Sequence, residues 1–314
     1  MHAVTIVDGE LEWREHPDPE PGVGEVLVAV RAAGLNAGDL LQRRGMYPAP
    51  PGSPADIPGL ETAGEVIALG SGVTSVAVGD RVMAVIGGGG QAERVVVHER
   101  CAIPVPDSVS WAQAGGFAEA FTTAHDALFT QAGLGAGERV CVHGAAGGVG
   151  VAAVQLAVSA GASVVATVRN PEQRAAVQAL GATVVEPDGF GEHGPFDVVL
   201  ELIGAPNLAE DVASLATGGR ICVIGVGAGF KAEVNLLALM GTRGRIHGST
   251  LRARPLEDKA AAAQAVIRHV APLLADGRVQ VPVADAFALS DAAAAYERFA
   301  AGNKFGKVVL VTDA

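Results

Sequence analysis

Val140-Cys141-Val142-His143-Gly144-Ala145-Ala146-Gly147-Gly148-Val149-Gly150 is the stretch on which the fold turns. An apolar run ends in a loop of glycine and alanine, and from Val151 an apolar helical pattern follows. A strand, a loop without bulky side chains and a helix amino terminus, in that order, let a pyrophosphate approach bare backbone while unpaired helix N–H groups bind it. Ala145 stands at the first glycine position of this dinucleotide fingerprint, with Gly147 and Gly150 at the second and third. The expected cofactor-binding backbone is Ala145, Ala146, Gly147, Gly148, Val149 and Gly150. With 42 glycines in the chain, the glycines alone say little; the flanking strand and helix make the pattern specific. Residues 87–90, four glycines between two β-type runs with no helix after them, read as a plain loop.

Downstream the same texture repeats. Strands are expected at 139–143, 163–168, 183–185, 196–202, 220–225 and 245–249, with helices at 148–160, 171–180 and 209–216. Apolar strands alternating with Ala-rich helices are the pattern of a doubly wound parallel α/β sheet. Runs such as Val198-Val199-Leu200 and Ile221-Cys222-Val223-Ile224 suit strands covered on both faces. Roughly 20 residues beyond the loop, an NAD-preferring site carries an acid for the ribose 2′-hydroxyl; here the chain reads Ala166-Thr167-Val168-Arg169-Asn170. Arg169, with Arg174 one helical turn on, would pair with a 2′-phosphate instead, so NADPH is the expected cofactor. Ligands of such sheets lie beyond the carboxyl ends of the strands, which adds Ile203, Gly204, Gly225, Val226, Gly227, Ser249 and Leu251 as expected contacts.

The first 100 residues differ. Short β-type runs at 3–7, 26–30, 66–69 and 94–97 are separated by Gly, Pro and Asp turns. Residues 47–58 hold five prolines in twelve positions and predict an ordered loop or a mobile lid. After Leu256 an Ala-rich helix and a second helix over 291–300 lead to a last strand at 307–312. A length of 314 residues predicts two domains, and 49% hydrophobic with 18% charged residues excludes a disordered chain. With 34 acidic against 22 basic residues the net charge is −12, which argues against nucleic acid as a partner. Cys101, Cys141 and Cys222 are too few and too scattered for a disulfide framework. The amino terminus carries no secretion signal. The most apolar stretch, 151–168, is interrupted by Gln155, Ser159, Gly161 and Ser163 and fits a buried helix and strand better than a membrane span. A cytoplasmic protein is expected.

The chain resembles the medium-chain dehydrogenase/reductase superfamily, and within it the zinc-free quinone oxidoreductases related to zeta-crystallin. The resemblance rests on Gly34-Leu35-Asn36 with Asp39, Gly45-Met46-Tyr47-Pro48, Pro58-Gly59-Leu60-Glu61 with Gly64, Val78-Gly79-Asp80-Arg81-Val82, the loop from His143 to Gly150, and Gly306-Lys307-Val308-Val309-Leu310. It implies a GroES-like β-rich catalytic domain from residues 1–119 and 259–314, with a Rossmann NADP-binding domain, 120–258, inserted between them. It also implies a homodimer paired along the last Rossmann strand, and adds Thr123, Lys304 and Phe305 to the cofactor contacts.

The zinc alcohol dehydrogenase branch carries a cysteine where this chain has Asn36 and a histidine where it has Leu60; neither replacement is a zinc ligand, and the cysteines of a structural zinc lobe are missing. No metal is expected. A neutral donor must then stabilise the charge that develops on a substrate oxygen, and the resemblance points to the Tyr47 phenol, with the Asn36 amide positioning substrate or nicotinamide ribose. Asp39, read as a solvated carboxylate, is expected to brace its loop or cap the following helix, and His125 and His143 to be structural. The expected activity is NADPH-dependent, zinc-independent reduction of a quinone in the cleft between domains. The alternatives are an enone or enoyl-thioester reductase and a non-catalytic NADPH-binding protein.

Overall fold

In a computed structural model, which describes residues 1–312, the chain divides into two units: Met1–Thr122 with Leu251–Ala314, and Thr123–Thr250. The helix Leu256–His269 belongs to the first unit. That helix packs on Glu99–Cys101 and on the strands Arg81–Val85 and Ile103–Pro104, all in the first unit.

The second unit is a single six-stranded sheet, parallel at every pairing. Counted along the chain, its strands are Arg139–Val142, Ser163–Thr167, Thr183–Val185, Phe196–Glu201, Leu215–Val223 and Arg245–Gly248, and across the sheet they lie in the order 3-2-1-4-5-6. This is the Rossmann arrangement, whose ligand site lies where the order reverses, between the first and fourth strands. Val140, Cys141, Val142, Val198, Val199 and Leu200 are all fully buried, as continuous apolar strands require when helices cover both faces. The helix Gly148–Ser159 is buried from Gly150 to Ala157, so it is apolar all round because nothing around it is water. No helix among the described residues is long and apolar enough to cross a membrane.

One element differs from expectation. The helix expected over 209–216 spans Leu208–Ala213, and Leu215 already belongs to the next strand. Leu215 pairs with Phe196 and is buried in the core beside Phe190, Phe196 and Ile221, so tertiary packing takes it out of the Ala-rich helical pattern.

The first unit is the GroES-like, β-rich half. Seven strands form its main sheet, in the order Val283–Ala288, Lys307–Val311, Glu25–Gly34, Glu61–Leu69, Arg81–Val85 and Ile103–Pro104, with Arg94–His98 also paired to Glu25–Gly34. The tail strand Lys307–Val311 runs antiparallel to Glu25–Gly34, with Val309 opposite Gly34. The carboxyl-terminal tail thereby closes a sheet begun near residue 25. The half-exposed strand Glu10–Glu15, paired with His2–Val7, has no apolar alternation strong enough to show in sequence.

Candidate functional site

In the first unit the candidate residues sit on a short helix and the strands around it. Asn36 stands at the start of the helix Ala37–Arg43, and Asp39 reaches back to it: the Asn36 backbone N–H donates to Asp39 Oδ2 at 2.8 Å, and Asp39 N–H donates to the Asn36 carbonyl at 3.0 Å. Gly59 N–H donates to Asp39 Oδ1 at 3.1 Å. Asp39 does brace the loop, yet it is fully buried, not solvated, and desolvation pushes its carboxyl up to about 7 despite the two backbone donors and the nearby Lys307.

The Asn36 side chain is fixed at both ends. Its Nδ2 donates to Glu61 Oε1 at 2.9 Å and to the Gly34 carbonyl, and its Oδ1 accepts from Lys307 Nζ at 2.7 Å. Lys307 Nζ also donates to the Leu35 carbonyl and to Glu61 Oε1, 2.6 Å away. Both members of this ion pair are buried, and Glu61 accepts a further bond from Glu119 N–H. The Asn36 amide is therefore committed to holding its neighbours, and Lys307 and Glu61 are parts of the site that the sequence reading missed. The order Pro58-Gly59-Leu60-Glu61 marked the position of Glu61; nothing local linked it to a lysine 246 residues away.

Tyr47 opens the Pro-rich loop and is half-buried. Gly38 makes room for it: a Cβ there would sit 3.2 Å from the Tyr47 ring and 2.6 Å from Leu60 Cδ1. Burial and then Glu119 raise the phenol above its ordinary pKa, while Arg252 opposes them. Arg252, buried at 3% exposure, stacks over the Tyr47 ring at 4.8 Å and donates to the Tyr47 carbonyl. Leu251, Lys304 and Phe305 also belong to this unit. Leu251 lines a small cavity with Cys101, Ile103 and Lys259. Lys304 has its ammonium 3.9 Å from the Phe299 ring centre, and burial, helped by Lys307 and Arg298, lowers its pKa to about 8.

In the second unit the carboxyl ends of the strands gather the remaining candidates. The helix Gly148–Ser159 starts at Gly147 with no side chain capping it, so its first-turn N–H groups face outward. A Cβ on Gly147 would meet only the Gly144 carbonyl at 3.5 Å, whereas one on Gly150 would lie 2.5 Å from that oxygen and 2.6 Å from Ala145 Cα. Gly147 thus leaves open space for a ligand, and Gly150 lets helix and loop close on each other, as a bound pyrophosphate needs. Ala145 N–H donates to the Thr167 carbonyl, which ties the loop to the second strand. Gly204, at φ +115, and Gly225 each lie where a side chain would strike backbone, Gly225 only 2.2 Å from the Leu202 carbonyl. Val226 and Gly227 continue from Gly225 as exposed loop, and Ser249 donates to Asp126 Oδ2 at 3.3 Å. Thr123 is buried at 7% exposure.

Beneath these turns lies a closed polar network. His143 Nε2 is 2.8 Å from Asp211 Oδ1 and Nδ1 is 3.1 Å from Thr167 Oγ1, which also accepts from Gly144 N–H. Glu201 accepts from the N–H groups of Ile203 and Gly204 and from Asn207 Nδ2. All three ionisable groups are buried, with Glu201 4.0 Å from His143. Desolvation opposes the imidazolium, but its bonds to Asp211 and Cys141 outweigh that and lift His143 to about 10. Three such groups within 4.8 Å of one another resemble a cation site; here His143 answers Asp211 Oδ1 and the turn at Ile203–Gly204 answers Glu201, while Asp211 Oδ2 is buried without a partner among the described residues. Asp211 and Glu201 carried no motif that the sequence could flag.

The two arginines expected at the adenosine end diverge. Arg169 is exposed at the end of the second strand. Arg174 donates to the Val168 carbonyl at 3.2 Å and is paired with Glu186 at 3.0 Å, so its charge is partly spent within the protein.

Known proteins fit this architecture along the whole chain. An alcohol dehydrogenase GroES-like domain matches residues 22–107 and a zinc-binding dehydrogenase domain residues 180–310. A quinone oxidoreductase of Pseudomonas aeruginosa is 32% identical over 96% of this chain and 95% of its own length. The chain belongs to the quinone oxidoreductase family of the medium-chain dehydrogenase/reductase superfamily. This oxidoreductase family extends into larger proteins: a phenolphthiocerol/phthiocerol polyketide synthase subunit of Mycobacterium tuberculosis is 32% identical over 92% of this chain, which spans 14% of that subunit's length. A mycobacterial protein solved in complex with NADPH superimposes with a TM-score of 0.86 at 27% identity, covering 99% of this chain and all of its own. The zinc of the dehydrogenase branch does not fit this member's residues. Leu60 offers no donor atom, and the Asn36 oxygen, the Leu35 carbonyl and Glu61 Oε1 already surround the Lys307 ammonium.

Proposed function

We propose that this oxidoreductase uses NADPH to reduce a quinone, without a metal. The observation that carries the nucleotide half is the uncapped helix start at Gly147, set in open backbone at the point where strand order reverses. Ala145 to Gly150 would hold the pyrophosphate, Gly204 and Gly225 would let the nucleotide lie against backbone, and Arg169 would meet the 2′-phosphate of NADPH. Bound there, NADPH supplies a hydride from its nicotinamide ring. Tyr47 donates its O–H to the substrate oxygen that becomes negative as hydride arrives. Its raised pKa keeps the phenol protonated at neutral pH, so it acts as a donor and not as a base. Asn36, locked between Lys307 and Glu61, fixes the start of the helix on which the phenol packs.

A second reading, reduction of an enone or enoyl-thioester double bond, draws support from the likeness to the polyketide synthase subunit. The same donor serves both reactions, but a hydroquinone anion needs less help than an enolate. Following NADPH absorbance with 1,4-quinones, with 2-alkenals and enones, and with a short enoyl thioester separates them. Turnover with quinones is expected; turnover confined to the enones or thioester would replace the first reading with the second, and none with any acceptor would favour a binding protein. In Tyr47→Phe the expected loss in kcat is about 10-fold with a quinone and about 100-fold with an enone.

We also propose a homodimer through the second unit. Phe230, Leu236, Leu237 and Met240 are between 67% and 80% exposed, next to the unpaired edge strand Arg245–Gly248. An open edge beside a large apolar patch is what a two-fold partner would cover. Sedimentation velocity is expected to give a dimer, and a monomer with Leu237→Glu.

A further inference from the structure

We propose that Arg252 is the positioning residue of Tyr47: its buried guanidinium holds the phenol in place and gives it a positive neighbour. The inference rests on the reading of Tyr47 as the substrate's hydrogen-bond donor. Arg252 is 3% exposed, and all three arms of its fork are used. Nε donates to the Gly87 carbonyl at 2.8 Å, one terminal nitrogen to the Tyr47 carbonyl at 2.6 Å, and the other to Gln42 Oε1 at 2.5 Å. Gln42 in turn donates to the Ala55 carbonyl, towards the far end of the Pro-rich loop. One side chain therefore ties together the helix Ala37–Arg43, both ends of residues 47–55 and the glycine loop that begins at Gly87.

Every acceptor of this guanidinium is neutral. Among the described residues no carboxylate lies within ion-pair distance of it; Asp39 and Glu119 act on it only through space. A buried cation answered by carbonyls and an amide keeps its field, whereas a paired one would lose most of it to its partner. The face presented to that field is the Tyr47 ring, 4.8 Å from the guanidinium carbon. Burial and then Glu119 raise the phenol, and Arg252 pulls the other way. Arg252 thus favours charge on the phenol oxygen, and equally on a substrate oxygen that the phenol bonds.

The composition permits a direct test, because the chain holds two tyrosines. The other, Tyr296, is buried, donates to Gln91 Oε1 at 3.0 Å and has its pKa raised well above the ordinary value. Ultraviolet titration of tyrosinate in the folded protein therefore follows Tyr47, with Tyr47→Phe as the blank. In Arg252→Met the tyrosinate signal is expected at higher pH, and in Arg252→Lys, which keeps the charge, between Met variant and native protein. With quinone and NADPH, Arg252→Met is expected to lower kcat about tenfold with the KM for NADPH unchanged, and to add nothing in a Tyr47→Phe background. An unmoved titration in Arg252→Met, or a kcat loss of equal size with Tyr47 already removed, overturns the proposal. If Tyr47→Phe turns over like the native protein while the titration still follows residue 252, the donor reading fails and the coupling stands. Arg252→Lys and circular dichroism of each variant separate these effects from misfolding.

Discussion

Each unit buries a basic side chain against a carboxylate, and the two are built differently. In the first, Lys307 is a charge by its own chemistry, and its partners Glu61 and Asn36 come from segments 246 and 271 residues away. In the second, burial opposes the charge on His143, and its bonds to Asp211 and Cys141 outweigh that. The lysine network fixes a rigid hydrogen-bonded frame in which the Asn36 amide has one place to stand. The histidine network holds the turns at Gly144, Thr167 and Ile203–Gly204, where a flexible ligand must be accommodated. A permanent charge suits a rigid frame; an induced one makes the firmness of the nucleotide turns depend on a proton.

The largest effect that could break this contrast is on stability. Lys307→Met leaves Glu61 buried and unanswered, with an expected loss of about 3 to 5 kcal/mol in denaturant unfolding. The double variant Lys307→Met with Glu61→Gln should recover most of it; if it does not, the pair is not what holds the frame.

Next in size, His143→Gln is expected to cost about 2 to 3 kcal/mol near neutral pH, since the imidazolium bonds to Asp211 are lost. The sign with pH follows from a folded pKa raised from 6.5 to about 10. The stabilisation is fully present below pH 6.5 and fades as pH rises through 10, so the gap between native protein and variant should narrow over that window. A gap independent of pH would mean that His143 is buried neutral. Asp39 runs in the same direction: its carboxyl is raised to about 7, so its contribution to stability declines as pH climbs from about 4 to 7.

The smallest expected effect sharpens the nucleotide side. Arg169→Ala should weaken NADPH binding by about tenfold, close to 1.4 kcal/mol, with little change for NADH. Equal changes for both would remove Arg169 from the 2′-phosphate. The same substitution at Arg174, already paired with Glu186, is expected to do less.

The second unit was more legible in sequence than the first, for physical reasons. Strands buried on both faces must be apolar throughout, so Val140–Val142 and Val198–Leu200 announce themselves, and the Gly147–Gly150 spacing follows from a close approach that only small residues permit. The first unit is assembled from contacts far apart in sequence. No local pattern joins Lys307 to Glu61, or Arg252 to Tyr47, and Asp39 looks solvated until the surrounding strands enclose it. Leu215 shows the same limit in small: in an Ala-rich stretch the choice between helix and strand was made by Phe196, its partner in the sheet.

The tail strand Lys307–Val311 also bears on how the molecule is made. The inserted unit, Thr123–Thr250, is continuous and can collapse while translation is still under way, but the half that starts the chain cannot complete its sheet until residue 311 has left the ribosome. Glu61 waits for its lysine through the synthesis of some 246 residues. Nascent chains stalled short of that point would carry a finished nucleotide-binding half beside an open-edged, chaperone-ready one.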